Sequence, residues 1–131
     1  VAAEAAGDPR MLFLQRFLTD DEIRTVYSAA DFATFFYQSN ILSTSGAARY
    51  ALTYGLPTIT TDVPMLEDLR GSSLVLKASA SVGELADAIR MIVECPCMMA
   101  SLSAIAEHEA RRTSWAETGK AHARIYQEVL S

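Results

Sequence analysis

The spacing of apolar residues changes several times along the chain, and each change predicts a new helix or strand. Apolar residues three and four positions apart, such as Ile23, Val26 and Tyr27, are typical of a helix with one buried face. Runs that are almost wholly apolar and aromatic, such as residues 32–37, are typical of a strand buried on both faces. On these criteria the predicted strands are 11–17, 32–37, 58–61 and 73–77. The predicted helices are 19–30, 43–54, 64–69, 81–92, 98–112 and 114–130.

Short signals mark where these helices start and stop. Three hydroxyl residues are each followed, three positions later, by a glutamate, which is the spacing of a capping box. The pairs are Thr19 and Glu22, Ser81 and Glu84, and Ser114 and Glu117. Gly55 favours a helix end, and Pro64 fits the first turn of a short helix. The alternation of strands and helices predicts an α/β fold with a mostly parallel sheet of about four strands, covered on both faces, and a helical carboxyl-terminal end.

Composition sets limits on size, partners and location. The chain has 131 residues and half of them are apolar, so we expect residues 1–131 to form a single domain with a real core. A formal charge of −5 and scattered basic residues argue against a nucleic-acid partner. The apolar runs are far shorter than the roughly 18 residues that span a bilayer, and the start lacks a signal peptide's basic end. These features predict a cytoplasmic protein without a transmembrane segment.

The thiols and imidazoles give no strong chemical signal. Cys95 and Cys97 flank a proline, and we interpret them as reduced thiols in a loop between two helices. A redox pair is the alternative, although the usual redox spacing leaves two residues between the thiols. His108 and His122 lie on separate predicted helices, so we expect neither a metal site nor a cofactor.

The segment from residue 43 to residue 62 carries the most specific functional signal. A hydroxyl-rich loop follows a predicted strand and opens a helix whose first N–H groups have no acceptor within the helix. Such a helix start attracts phosphate, and a glycine without a Cβ lets a diphosphate approach the backbone. The predicted phosphate-binding residues are Ser43, Thr44, Ser45 and Gly46. Ordinary capping by the hydroxyl groups is the alternative.

Further polar residues are predicted at the same edge of the sheet. Parallel strands bring their carboxyl ends to one edge, and ligands of open α/β sheets bind there. The candidate contacts are Arg16, Gln38, Ser39, Asn40, Asp62 and Glu67. Each also fits a simpler role as a cap, a turn residue or a solvated charge.

Several segments also occur in a characteristic order. They are TDDEI at 19–23, VYSAAD at 26–31, GAARY at 46–50, ALTYGLP at 51–57, TTD at 60–62, ELADAI at 84–89 and SW at 114–115. Together they resemble the carboxyl-terminal half of retaining, nucleotide-sugar-dependent glycosyltransferases of the GT-B fold, the large group-1 family. The resemblance covers nearly the whole chain from Met11.

The resemblance implies a three-layer, Rossmann-like domain that binds the nucleotide diphosphate sugar donor of a glycosyltransferase. In that family a separate amino-terminal domain holds most of the acceptor. By position, Ser45 and Gly46 would face the donor phosphates. Arg16, Asn40, Tyr50 and Asp62 are expected to contact the nucleotide or the sugar.

Two departures from the family pattern keep alternatives open. The family's two glutamates, seven residues apart, would fall at Leu42 and Tyr50, so both carboxylates are absent. The sequence also begins after the units that carry the family's Arg and Lys pair, so we expect a truncated domain that is inactive alone and needs its missing amino-terminal domain or a partner chain. A non-catalytic α/β interaction module of the same descent is the alternative, and a receiver-like signalling domain is a weaker one.

The last helix offers one further choice. Trp115, Ile125 and Tyr126 either pack in the core of this domain, as on an ordinary amphipathic helix, or lie at a seam with the missing domain. In the second case an isolated chain would expose apolar surface and self-associate.

Overall fold

The architecture of the chain is given by a computed structural model, which describes residues 8–38 and 44–130. Its elements in chain order are α1 (Asp20–Ala29), β1 (Ala33–Phe35), α2 (Gly46–Thr53), β2 (Thr58–Thr61), a 3-10 helix (Pro64–Leu69), β3 (Leu74–Leu76), α3 (Val82–Glu94), α4 (Pro96–Arg112) and α5 (Trp115–Leu130). Among the described helices none alone is long and apolar enough to cross a membrane, and only α3 and α4 together, bent by 96°, have the length and composition to do so.

Three parallel strands form an open sheet in the order β1-β2-β3. Ala33 lies beside Thr58 on one side of β2, and Ile59 lies beside Leu74 on the other. All four residues of β2 are buried, as expected of a β-branched strand in the middle of a sheet. The predicted α/β fold with a parallel sheet is confirmed, with three strands in the described part of the chain.

The predicted strand at 11–17 is wrong. These residues form no strand and are exposed. Phe17 is fully exposed, with 102% of the accessible area of a reference phenylalanine residue. An apolar run becomes a strand only where a neighbouring strand pairs with its backbone, and no such pairing forms here. β1 is only half-buried, although the sequence predicted a strand buried on both faces.

The apolar core divides into two clusters. Ile59 of β2 packs with Ala88 and Ile92 of α3 and with the first turns of α4. The other cluster joins α2 and the 3-10 helix, through residues such as Leu52 and Leu66. Phe35, which lies beside Thr60 in the sheet, packs on this second cluster. Because Thr60 and Ile59 point to opposite faces of β2, the clusters lie on opposite faces of the sheet.

The predicted helix starts are largely confirmed. Thr19 and Ser81 both form complete capping boxes, with Glu22 and Glu84 respectively. At the third predicted box, Ser114 accepts a hydrogen bond from the Glu117 N–H at 3.3 Å.

The Gly-Leu-Pro turn after α2 also follows the prediction. Gly55 has a φ of +67°, which is the left-handed conformation that favours glycine after a helix. The turn leads directly into β2 and sets the direction of the central strand.

The last helix, α5, has no buried residue. Trp115 is 91% exposed, and Ile125 and Tyr126 are also exposed. Core packing of these three side chains, the simpler of the two interpretations of this helix, is therefore wrong. The apolar surface expected at a seam is present on the described chain.

Candidate functional site

The carboxyl ends of β1 and β2 are joined by side-chain hydrogen bonds. The Tyr37 N–H donates to the Thr61 hydroxyl at 2.9 Å, and that hydroxyl donates to the Tyr37 carbonyl at 2.6 Å. The Tyr37 hydroxyl in turn lies 3.3 Å from the Ser45 hydroxyl. These contacts hold the residue that precedes α2 at the carboxyl edge of the sheet, where ligands of parallel sheets bind.

Ser45 acts as the cap of α2. Its hydroxyl oxygen accepts a hydrogen bond from the Ala48 N–H at 3.3 Å, and its carbonyl accepts the first helical bond from Arg49 at 3.2 Å. The side chain is only 5% exposed, and it contacts Tyr37 as well. The capping alternative is thus correct for the Ser45 hydroxyl, whose geometry serves the helix.

The backbone at Gly46 is open to solvent. Gly46 and Ala47 are exposed, and a Cβ built on Gly46 would meet no other atom within 4 Å. The helix supplies no acceptor for the N–H groups of these two residues, since they belong to its first turn. Within residues 8–38 and 44–130 no hydrogen bond from either N–H is recorded, so the positive end of the helix dipole is a suitable site for an anion.

Tyr27 supports this helix from the side. Its hydroxyl donates to the Ala47 carbonyl at 3.0 Å, and its ring stacks on Tyr54 with the centroids 5.6 Å apart. Burial raises the pKa of the Tyr27 hydroxyl, so it stays protonated and keeps donating. From the sequence, Tyr27 was predicted only to lie on the apolar face of α1. Its hydrogen bond to the Ala47 carbonyl joins residues that are distant in sequence, and no local pattern predicts such a contact.

A cavity of about 550 Å³ opens between α2 and the beginning of α5. It includes Gly46 and Tyr50, two of the predicted site residues, together with Arg49 and Trp115. The remaining lining residues are Leu52, Thr53, Thr113 and Thr118. The cavity therefore combines a helix start, a guanidinium group, two exposed aromatic rings and several hydroxyl groups.

Charges around the start of α2 are unequal. Arg49 forms an ion pair with Asp68 and also faces the cavity. On another side, Thr44 lines a smaller hollow of about 370 Å³ with Glu67 and Asp68. An anion beside Thr44 would meet two carboxylates, whereas an anion beside Gly46 would meet Arg49. The Gly46 side of the helix start therefore has fewer carboxylates than the Thr44 side, while Asp68 offsets part of the positive charge of Arg49.

Two other predicted residues line neither the cavity nor the hollow beside Thr44. Arg16 donates to the Glu22 carboxylate at 2.9 Å, and Asp62 accepts from the Arg70 guanidinium at 2.8 Å. Both are exposed and already paired with an opposite charge. Of the other candidates, Gln38 is exposed and Glu67 contacts Arg70 at 3.3 Å. Ser39, Asn40, Leu42 and Ser43 lie outside the described residues.

Arg49 and Trp115 line the cavity but were not among the site residues predicted from the sequence. Arg49 lies three positions after Gly46 on the same helix, and this spacing is a signal that was available. Trp115 is far from Gly46 in sequence, and it lines the cavity only because the start of α5 lies close to α2. In the described residues no three His, Cys, Asp or Glu side chains are grouped as a metal site would require.

Comparison with known proteins adds no relative: no family model, curated protein or solved structure matches this chain.

Proposed function

We propose that this chain is the donor-binding part of a glycosyltransferase that transfers a sugar from a nucleotide diphosphate sugar to an acceptor. The observation that carries the proposal is the open helix start at Gly46, at the carboxyl edge of a parallel sheet and beside a cavity with Arg49. The Rossmann-like, three-layer architecture belongs to the same proposal, and apolar clusters on opposite faces of the sheet support it.

The diphosphate would accept hydrogen bonds from the N–H groups of Gly46 and Ala47. Arg49 would offset part of its negative charge from inside the cavity. The nucleoside or the sugar would then lie against Tyr50 and Trp115. Aromatic rings stack on bases and on the apolar faces of ligands, so they offer a mode of recognition that does not need the two absent glutamates.

We expect this chain to bind the sugar donor but not to transfer the sugar by itself. A leaving diphosphate needs several kcal/mol of preorganised electrostatic stabilisation, of which one helix start contributes about 1 kcal/mol. Arg49 is the only cation lining the cavity among the described residues, and it is shared with Asp68. We therefore infer that the chain binds the donor and that a further domain or partner chain completes the catalytic site and holds the acceptor.

The second candidate function is a non-catalytic interaction module. One observation favours it: large apolar side chains such as Trp115 are exposed. The family resemblance adds that Tyr50 occupies a position where a glutamate would be expected. An interaction module would use this apolar surface and would have no need of a nucleotide.

Calorimetric titration of the folded chain with UDP, GDP and ADP separates the two candidates. Donor binding predicts heat with at least one of these nucleotides and competition by inorganic pyrophosphate. A folded sample, verified by circular dichroism, that gives no heat with any of the three would exclude donor binding and leave the interaction module.

A further inference from the structure

Two thiols meet at the corner between α3 and α4. Cys95 lies directly after α3 and directly before α4, and its Sγ lies 2.8 Å from the Sγ of Cys97. The helices meet there at an angle of 96°, and Pro96 occupies the first position of α4. The corner thus holds two sulfur atoms in direct contact, on residues that are separated by one position.

The same corner activates one of the two thiols. Hydrogen bonds from the Cys97 thiol and from the backbone N–H groups of Met98 and Cys97 lower the pKa of Cys95. The pKa of Cys97 is raised by its contact with Cys95. No acidic residue lies in the first turn of α4, so the helix start favours a thiolate. Negative charge is therefore concentrated on Cys95, with Cys97 beside it as the protonated partner.

Solvent reaches both sulfur-bearing residues. Cys97 is exposed and Cys95 is half-buried, while Met98 and Met99 on the next turn pack against the cluster beneath α3. The backbone of the corner is thus anchored to the core, and its thiols remain open to a small reactant.

We propose that Cys95 and Cys97 form a thiol–disulfide exchange site that reduces low-molecular-weight disulfides and closes to an intramolecular disulfide. This site is independent of the proposed donor binding.

The exchange proceeds in two balanced steps. The Cys95 thiolate attacks one sulfur of the small disulfide, so that a mixed disulfide forms and one small thiolate leaves. Cys97 then loses its proton and attacks the Cys95 sulfur, forming the Cys95–Cys97 bond and releasing the second small thiolate. The two cysteines lose two electrons, the small disulfide gains them, and the two thiol protons end on the released thiolates.

Glutathione buffers provide the test. The 131-residue chain is equilibrated at neutral pH with varied ratios of reduced to oxidised glutathione, quenched with acid, alkylated and weighed by mass spectrometry. The expected product is a monomer that has lost two hydrogens and carries no glutathione. The ratio of this disulfide form to the dithiol form should rise in proportion to the oxidised glutathione concentration divided by the square of the reduced glutathione concentration, as a two-electron couple requires.

Single variants identify the role of each thiol. The Cys97→Ser variant should stop at a mixed disulfide with one glutathione on Cys95. The Cys95→Ser variant should react several-fold more slowly, because Cys95 directly precedes α4 and is the thiol whose pKa is lowered. Neither the half-buried Cys95 nor the exposed Cys97 belongs to the buried core, so serine at either position should leave the fold intact, and circular dichroism checks this. Two glutathiones on the unaltered chain, disulfide-linked dimers as the main product, or two free thiols at the most oxidising ratio would each overturn the proposal.

Discussion

Gly46 and Gly55 stand at the two ends of α2, and the structure allows them very different substitutions. Gly46 has space for a Cβ, whereas a Cβ on Gly55 would lie 2.8 Å from Cγ of Glu107. Gly55 also has a positive φ, and Gly46 does not. A side chain at Gly46 should therefore leave the stability of the fold unchanged, whereas one at Gly55 should lower it.

Gly46→Ala is expected to weaken nucleotide binding about tenfold, which corresponds to about 1.4 kcal/mol, without lowering the free energy of unfolding. The added methyl group occupies the approach of the diphosphate, while alanine suits a helix better than glycine. Calorimetry with the best-binding nucleotide and urea denaturation measure the two quantities. Gly71→Ala is the matched control, since its Cβ also meets nothing within 4 Å and it is remote from the cavity lining. Equal affinities of the two variants would contradict the proposed position of the diphosphate.

Glu22 gives a prediction about pH. Hydrogen bonds from the Arg16 guanidinium and the Thr19 backbone lower the pKa of Glu22 to about 2. Its stabilisation of the α1 capping box is therefore fully present above the ordinary glutamate pKa of about 4.3 and is lost as the pH falls through about 2. NMR titration of the side-chain carboxyl carbon measures this directly.

A pair of variants assigns the cause of the Glu22 shift. Arg16→Gln should raise the pKa of Glu22 toward its ordinary value. Arg24→Gln removes a cation that faces Asp21 instead and should leave the pKa of Glu22 unchanged. An unaltered Glu22 titration in the Arg16 variant would show that the pair does not form in solution.

At the scale of elements, the turn after α2 requires a left-handed backbone conformation at Gly55. Gly55→Ala should lower the free energy of unfolding by about 1–2 kcal/mol, because a left-handed conformation is costly for alanine. Gly55→Asn should cost less, since asparagine tolerates that conformation better. Urea denaturation of both, beside Gly71→Ala as a neutral reference, measures the difference. A Gly55→Ala chain as stable as the reference would mean that the turn is not rigid.

Elements with local signals could be predicted from the sequence. Thr19 and Ser81 start helices where their capping boxes predicted, Gly55 ends one, and β2 has the predicted bounds, Thr58–Thr61. These signals act within a few residues, so a single sequence contains them.

Elements that depend on distant partners could not be predicted in the same way. Residues 11–17 have a strand-like composition but no strand to pair with in the described part of the chain. The cavity brings Gly46 together with Trp115, which is far away in sequence, while the predicted Arg16 and Asp62 are held by Glu22 and Arg70. Ion pairs and helix directions of this kind are fixed by tertiary packing.

At the scale of the whole molecule, the exposed apolar side chains predict association between copies of this chain or with a partner. Phe17 and Trp115 are almost fully exposed, and so are Val129 and Leu130 at the end of α5. We expect sedimentation to show concentration-dependent oligomers.

Phe17→Ser should weaken this association several-fold without lowering the thermal midpoint, because the ring contributes nothing to the core. Val82→Ser is the control: Val82 is also exposed, but it lies at the start of α3, away from residues 11–17. A monomer at all concentrations, or an equal weakening of association by the two substitutions, would contradict a role for residues 11–17 in association.

The central claim is that the N–H groups of Gly46 and Ala47, at the start of α2, bind a diphosphate, and amide NMR tests it most directly. The ¹⁵N-labelled chain is titrated with UDP, GDP or inorganic pyrophosphate, and the shifts of the backbone amides are followed. The account predicts saturable shifts that are largest at Gly46 and Ala47, with smaller ones at Arg49 and Tyr50. Saturable shifts confined to other parts of the chain, or unchanged Gly46 and Ala47 amides at millimolar ligand, would contradict it.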